Sequence, residues 1–284
     1  MTPHEPGTVY VVSTPIGNLE DITFRAVRVL KEVAMIAAED TRHTKHLCGH
    51  FGITTPLTSY HDFNKEEKTA VLLERLRAGA DIALVSDAGT PVISDPGYFL
   101  ITRSIEAGIR VVPIPGPSAV MAALAASGLP SDAFRFEGFL PRKDGPRSKR
   151  LERIRDDAAS LVLFESPHRI GTLLASLHAI LGNRRAVLGR ELTKRFEEFH
   201  RGTLSELLEQ VQAHPPKGEI TLVIEGRPKH EQARCGARGE GRTPMVSPPA
   251  DFESAASAIS PPGHRPSPFL TRWLPPVKAR QTKL

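Results

Sequence analysis

Residues 81–97 read DIALVSDAGTPVISDPG, an apolar strand that runs into a loop holding two aspartates, two prolines and two glycines before the chain turns helical. That is more turn chemistry than a plain connection needs. Glycine lets backbone approach a ligand closely and proline fixes loop shape, so the stretch reads as a strand end built around something. Upstream, TVYVVSTP (Thr8 to Pro15) is an apolar strand followed by the amphipathic ITFRAVRVLKEV. MIAAED (Met35 to Asp40) is strand-like, with a short helix from about His43. PLTSY, a helix over Glu66–Ala78, DIALVSD, a helix over Gly97–Ala107 and RVVPIPG complete the first half. Near-continuous apolar strands alternating with short helices predict a parallel sheet covered on both faces.

The second half opens with the helix of SAVMAALAASG. It continues through FRFEGFL, a charged helix, SLVLFES, HRIGTLLASLHAIL, RAVLGREL, EEFHRGTL and GEITLVIEG. Several of these strands lie close together in sequence, which predicts a mixed sheet. The expected organisation is two α/β domains, residues 1–116 and 117–227. Residues 228–284 follow as a Pro/Arg-rich tail, read as disordered because it cannot bury enough apolar surface to offset its ordering entropy. A shifted reading frame or a degenerated C-terminus would leave such a tail, which the encoding DNA decides.

Composition narrows the class. Two cysteines, Cys48 and Cys235, make no disulfide framework, and no apolar run approaches the roughly 18 residues of a membrane span. The expectation is a soluble, cytoplasmic protein. The net charge of +5 comes from the tail: from Pro228 onward nine basic residues face four acidic, leaving 28 of each sign in residues 1–227. The overall charge is therefore weak evidence for a nucleic-acid partner.

In open α/β sheets ligands bind beyond the carboxyl ends of the strands. Four punctuated loops sit there: STPIGN (Ser13 to Asn18), AEDTRHT (Ala37 to Thr44), SDAGTPVISDPG and PIPGPSA (Pro113 to Ala119). Any one of them could be an ordinary turn; four on one edge argue for a site. No G-x-G-x-x-G follows the first strand and no phosphate-binding G-x-x-x-x-G-K-[ST] occurs. GPSAV (Gly116 to Val120) lacks the second glycine of a nucleophile elbow. His43, His46, Cys48 and His50 crowd one segment, but their spacing fits no standard metal pattern; no metal is expected, and an exposed His-rich helix is the plainer reading.

STPIGNLEDIT, AEDTRHT, SDAGTPVISDPG, PIPGPSA, FEGFLPRK, FESPHRI, GRELTKRFEEFHRGTL and GEITLVIEG occur in that order over about residues 8–227. Together they resemble the ribosomal RNA small-subunit methyltransferase I family of the tetrapyrrole methylase superfamily. The resemblance implies S-adenosylmethionine as cofactor, folded into the cleft between the two domains, and methylation of a cytidine 2′-hydroxyl in the decoding centre of 16S rRNA. It also implies homodimers. Carried onto this chain, it gives cofactor-binding roles to Pro15 and Ile16 after the first strand, and to Asp87, Ala88, Gly89, Pro91 and Ile93 in the quoted loop. Ser118 and Ala119 start the crossing helix, and Phe164, Glu219, Ile220 and Thr221 lie near the adenine. For Phe164 and Ile220, simple core packing is an equal reading.

A ribose hydroxyl is a poor nucleophile, so an acceptor for its proton is expected. Candidates at the strand ends are Glu39, Asp40, His61 and Glu165, with Asp40 favoured and Arg42 beside it to neutralise phosphate; the same pair is equally a loop-fixing ion pair. For RNA, RKDGPRSKRLERIR (Arg142 to Arg155) carries seven basic residues against two acidic. Arg142, Lys143, Arg147, Lys149 and Arg150 are its phosphate-contact candidates, joined by Arg169, Arg190 and Lys194 from the family motifs. The plain alternative is the solvated face of a surface helix. One departure stands out: the family continues after GEITLVIEG with a compact helical segment, where this chain has its tail. Two rival functions remain. One is a tetrapyrrole or diphthamide-type methylase of the same superfamily, which a screen of tetrapyrrole acceptors would reveal. The other is an inactive relative that binds S-adenosylmethionine or RNA without turnover.

Overall fold

The computed structural model describes residues 5–227; the expectations for the tail and for Cys235 lie outside the described residues. The first half is a five-stranded sheet of β1 (Thr8–Val12), β2 (Met35–Ala38), β3 (Leu57–Ser59), β4 (Ile82–Val85) and β5 (Arg110–Ile114), in the order β3-β2-β4-β1-β5. Every pairing is parallel. β4, in the middle, is buried at all four positions, as its unbroken IALV predicts. Pro113 is tolerated because β5 is an edge strand, paired only with β1.

Helices cover both faces. On one side α1 (Phe24–Glu32) buries Ala26, Val29 and Leu30, spaced for one helical stripe, and α2 (Thr41–Phe51) adds Cys48, against Val12, Ile36, Ala38, Ala83 and Val85. On the other, α3 (Lys65–Arg77) and α4 (Tyr98–Glu106) bring Leu72, Leu76 and Leu100 against Val9, Val11, Ala37, Ile82 and Leu84. The neighbours β1 and β4 therefore send their outgoing chains to opposite faces. The crevice that opens between such diverging connections is the favoured ligand position of open α/β sheets.

α5 (Ala119–Ser127) leads into a second sheet of β6 (Phe134–Phe139), β7 (Ser160–Glu165), β8 (Arg185–Arg190), β9 (Glu198–Thr203) and β10 (Ile220–Ile224), ordered β6-β7-β10-β8-β9. Only β6 and β7 are parallel, so the sheet is mixed as expected. One face carries α6 (Asp144–Ile154), α7 (Ile170–Leu181) and α8 (Leu204–Ala213). α7 inserts Leu173, Leu174 and Leu177, all essentially inaccessible; trimming one to alanine costs about 2–5 kcal/mol. The other face is covered by Val120, Ala123 and Leu124 of α5, and there Ile16 of the first half joins the core. Among the described residues no helix is long and apolar enough to cross a membrane.

Candidate active site

The loops after β1 and β4 are sewn together. Thr14 and Gly89 form a two-way bridge, with the Thr14 N–H donating to the Gly89 carbonyl at 2.9 Å and the Gly89 N–H returning to Thr14 at 3.0 Å. Gly89 has φ +80°, and a side chain there would begin 3.3 Å from Ile16, so this close crossing needs glycine. The Thr14 hydroxyl donates to the Ser86 carbonyl, and the Ser13 and Thr90 hydroxyls meet at 3.0 Å. The loop after β2 is tied in by Asp87, whose Oδ1 accepts the Asp40 N–H at 3.0 Å. Val92 and Ser94 are held at φ +78° and +68°. For a β-branched valine that is a strained conformation, which persists only because surrounding contacts impose it.

These loops wall one side of a cavity of about 440 Å³. Ile16, Ala88, Gly89, Ile93, Ser118 and Ala119 line it from the first half and the crossing helix. Phe164, Glu165, Glu219, Ile220 and Thr221 line it from the ends of β7 and β10. Most sequence-derived cofactor candidates are thus brought together. Pro15 and Asp87 line a smaller adjoining cavity instead, and Pro91 is buried in the turn, lining neither. Residues the sequence reading passed over include Thr90, Ser94, Asp95, Phe139, Pro167 and Leu192. Three of these, Thr90, Ser94 and Asp95, sit inside the loop quoted at the outset.

Phe164 does two jobs. It packs against Phe136 and Phe139 with ring centroids 5.0 and 5.7 Å away, and it still lines the cavity. Beside it Glu165 is buried; its Oε1 accepts the Ser166 N–H at 2.7 Å. Its Oε2 is 3.1 Å from an Arg169 nitrogen, but without hydrogen-bonding alignment, so that oxygen has no hydrogen-bond partner among the described residues. A buried carboxylate oxygen without a partner is costly unless a ligand supplies a donor. Nearby, burial pushes the carboxyls of Glu39 and Asp95 up; for both, the Asp87 carboxylate adds to the rise.

The favoured catalytic pair needs correction. Asp40 is the N-cap of α2, where its carboxylate accepts the Arg42 N–H and chelates the Arg42 guanidinium at 2.8 Å. Those bonds hold its carboxyl far below the usual range, which makes it a poor proton acceptor. Neither residue lines the large cavity or the smaller one beside it, so the loop-fixing reading of this pair is the one the geometry supports. His61 is held by Asn64, which accepts its N–H and lies 3.3 Å from its ring.

The basic candidates divide. Arg142, Lys143 and Lys149 are exposed on and beside α6. Arg147 is a correction: it is buried, and its guanidinium donates to Ser176, the Arg142 carbonyl and Asp144, so it fastens α6 to α7 rather than reaching outward. Arg150 is half-exposed and paired with Glu137. Arg169 donates to the Leu140 carbonyl, and Arg190 pairs with Glu198. Lys194 binds Glu191 and Glu219, both at 2.9 Å, and its stem lies across Gly17, so it latches the two halves at the cavity lip.

Residues 8–208 match the family model described as Tetrapyrrole (Corrin/Porphyrin) Methylases. The chain is 53% identical over 222 residues to the ribosomal RNA small subunit methyltransferase I of Halalkalibacterium halodurans, covering 78% of this chain and 77% of that one. It is 52% identical to the protein of the same name from Synechocystis sp., over 78% and 79% of the two chains. Among solved structures, uroporphyrin-III C-methyl transferase from Thermus thermophilus complexed with S-adenyl homocysteine is similar in fold. It superposes with a TM-score of 0.54 at 20% identity, over 76% of this chain and 97% of that one. The two α/β halves, the sewn loops at the edge of the first sheet and this level of identity have one reading: the chain belongs to the ribosomal RNA small subunit methyltransferase I family of the tetrapyrrole methylases.

Proposed function

We propose that this protein uses S-adenosylmethionine to methylate the 2′-hydroxyl of a cytidine in the decoding centre of 16S rRNA, within the small ribosomal subunit. The observation that carries the reading is the cavity at the β1/β4 crevice, in a chain about half identical over most of its length to rRNA methyltransferases. The residues present fit the cofactor. Phe164 and Ile220 offer an apolar wall for a purine, and Gly89 admits close backbone approach. Glu165 borders the cavity with a fully buried side chain that keeps one carboxylate oxygen without a partner, and several carboxylates around the cavity suit a cation. S-adenosylmethionine supplies a methyl group already activated on a sulfonium, so the protein's task is chiefly placement. Glu165 is the catalytic candidate that borders the cavity, and Ser166 and Arg169 fix its buried carboxylate behind the cavity wall.

Exposed Arg142, Lys143 and Lys149 form the rRNA-facing patch, positioning the substrate through phosphate contacts. The protein works in the cytoplasm as a homodimer, as the superfamily resemblance implies. The test is transfer of labelled methyl from S-adenosylmethionine to small subunits lacking the decoding-centre modification. Label recovered as 2′-O-methylcytidine is the expected result. Cofactor binding with no label in the RNA would refute the reading.

A further inference from the structure

A second cavity, of about 300 Å³, lies on the other side of the Thr14–Gly89 bridge. Thr14, Pro15, Gly17 and Leu19 wall it from the loop after β1; His43, Thr44, His46 and Leu47 from α2; and Ser86 and Asp87 from the end of β4. The next two residues of that loop, Ala88 and Gly89, face the large cavity. The two spaces are thus neighbours divided by one pair of bridged residues. We infer that the smaller cavity is the acceptor subsite, holding the target nucleotide of a single-stranded RNA turned out of its stack. This deepens the proposed rRNA methylation and rests on it.

The wall chemistry matches a nucleotide from inside to outside. Pro15, Leu19 and Leu47 supply an apolar surface for a ring face. Asp87, Ser86 and Thr14 stand at the inner end against the bridge, next to the large cavity. A carboxylate there accepts from the exocyclic amino group of cytosine, which uracil lacks. His43 and His46, one helical turn apart on α2 and both exposed, flank the space where a phosphate would emerge. The volume lies at the lower end of small-molecule sites, about 300–1,000 Å³, which suits one nucleoside and excludes a stacked pair. Enzymes that act on a nucleotide buried in structure take it out into such a pocket. This also accounts for the His-rich segment: His43 and His46 line the cavity, whereas Cys48 of the same helix is buried in the core.

The test uses the full-length protein and the double variant His43→Ala/His46→Ala. Steady-state methyl transfer to unmodified small subunits gives KM and kcat, and calorimetry with S-adenosylhomocysteine reports the cofactor site. The expected result is a KM for subunits raised at least tenfold, with S-adenosylhomocysteine affinity within twofold of wild type. In parallel, the imidazole proton resonances of His43 and His46 in the wild-type protein are followed during titration with a short single-stranded RNA centred on cytidine. Those resonances should shift, and less with uridine at the centre. An unchanged KM overturns the inference, and so do unmoved resonances. A matching loss of S-adenosylhomocysteine affinity also overturns it, because it assigns α2 to the cofactor. If wild type transfers no methyl to subunits, the functional proposal fails and the RNA titration still decides the subsite.

Discussion

Replacing Glu165 by glutamine is the most informative single change to the large cavity. The substitution keeps side-chain volume and an oxygen to accept the Ser166 N–H. It replaces the unpartnered carboxylate oxygen with an amide nitrogen, a donor that faces the Arg169 guanidinium 3.1 Å away and can accept nothing. If that oxygen takes a hydrogen bond from a hydroxyl in the cavity, the loss is that of a charge-assisted bond, about 1.5–3 kcal/mol. At about 1.4 kcal/mol per factor of ten, kcat/KM should fall roughly 10- to 150-fold. Paired assays locate the effect: labelled-methyl transfer to unmodified subunits, and calorimetry with S-adenosylhomocysteine. A fall in kcat with unchanged S-adenosylhomocysteine affinity places the bond on the acceptor, and weakened affinity places it on the cofactor ribose. Rates and affinities both within twofold of wild type would show that the buried oxygen meets no hydroxyl at all and would refute the reasoning.

Two further outcomes are expected. Lys143→Ala/Lys149→Ala should flatten the dependence of log affinity for small subunits on log salt by about two, whereas Arg147→Met should leave that slope unchanged and lower the melting temperature, as filter binding and thermal unfolding would show. Glu39→Gln should stabilise the fold at pH 7. A carboxyl raised by burial opposes folding only while ionised, so the gain should fade as pH falls through the raised pKa and be gone below the ordinary value of 4.5; an equal gain at pH 7 and pH 4 would contradict it.

The inner strands of the first sheet, β1, β2 and β4, were legible because they are largely buried and so read as near-continuous apolar runs. α8 was missed although Thr203 and Glu206 form a capping box, a signature visible as T-x-x-E before an apolar periodic stretch. Two misreadings also had their corrective signal in the sequence. Arg147 stands four and seven residues before Leu151 and Ile154, on the buried stripe of α6, so its place on the helix contradicted its charge. Asp40 immediately precedes a helix, the ordinary position of a capping aspartate. What no local pattern carries is the partition of neighbouring loop residues between two cavities. Asp87 and Gly89 are two positions apart, and the bridge from Thr14, 75 residues upstream of Gly89, decides which space each faces.

β10 is the last described strand in sequence, yet it fills the centre of its sheet, between β7 and β8. As the chain leaves the ribosome, β6 can pair with β7 and β8 with β9, but these remain two separate ribbons with unpaired edges until residues 220–224 appear. Joining them closes a loop from Glu165 to Ile220, and the same event delivers Glu219, Ile220 and Thr221 to the cavity wall. The second half therefore has no partly functional precursor. A nascent chain halted even a few residues before Ile220 exposes two sticky sheet edges and has no complete cofactor site, so translation must finish the fold before catalysis can begin.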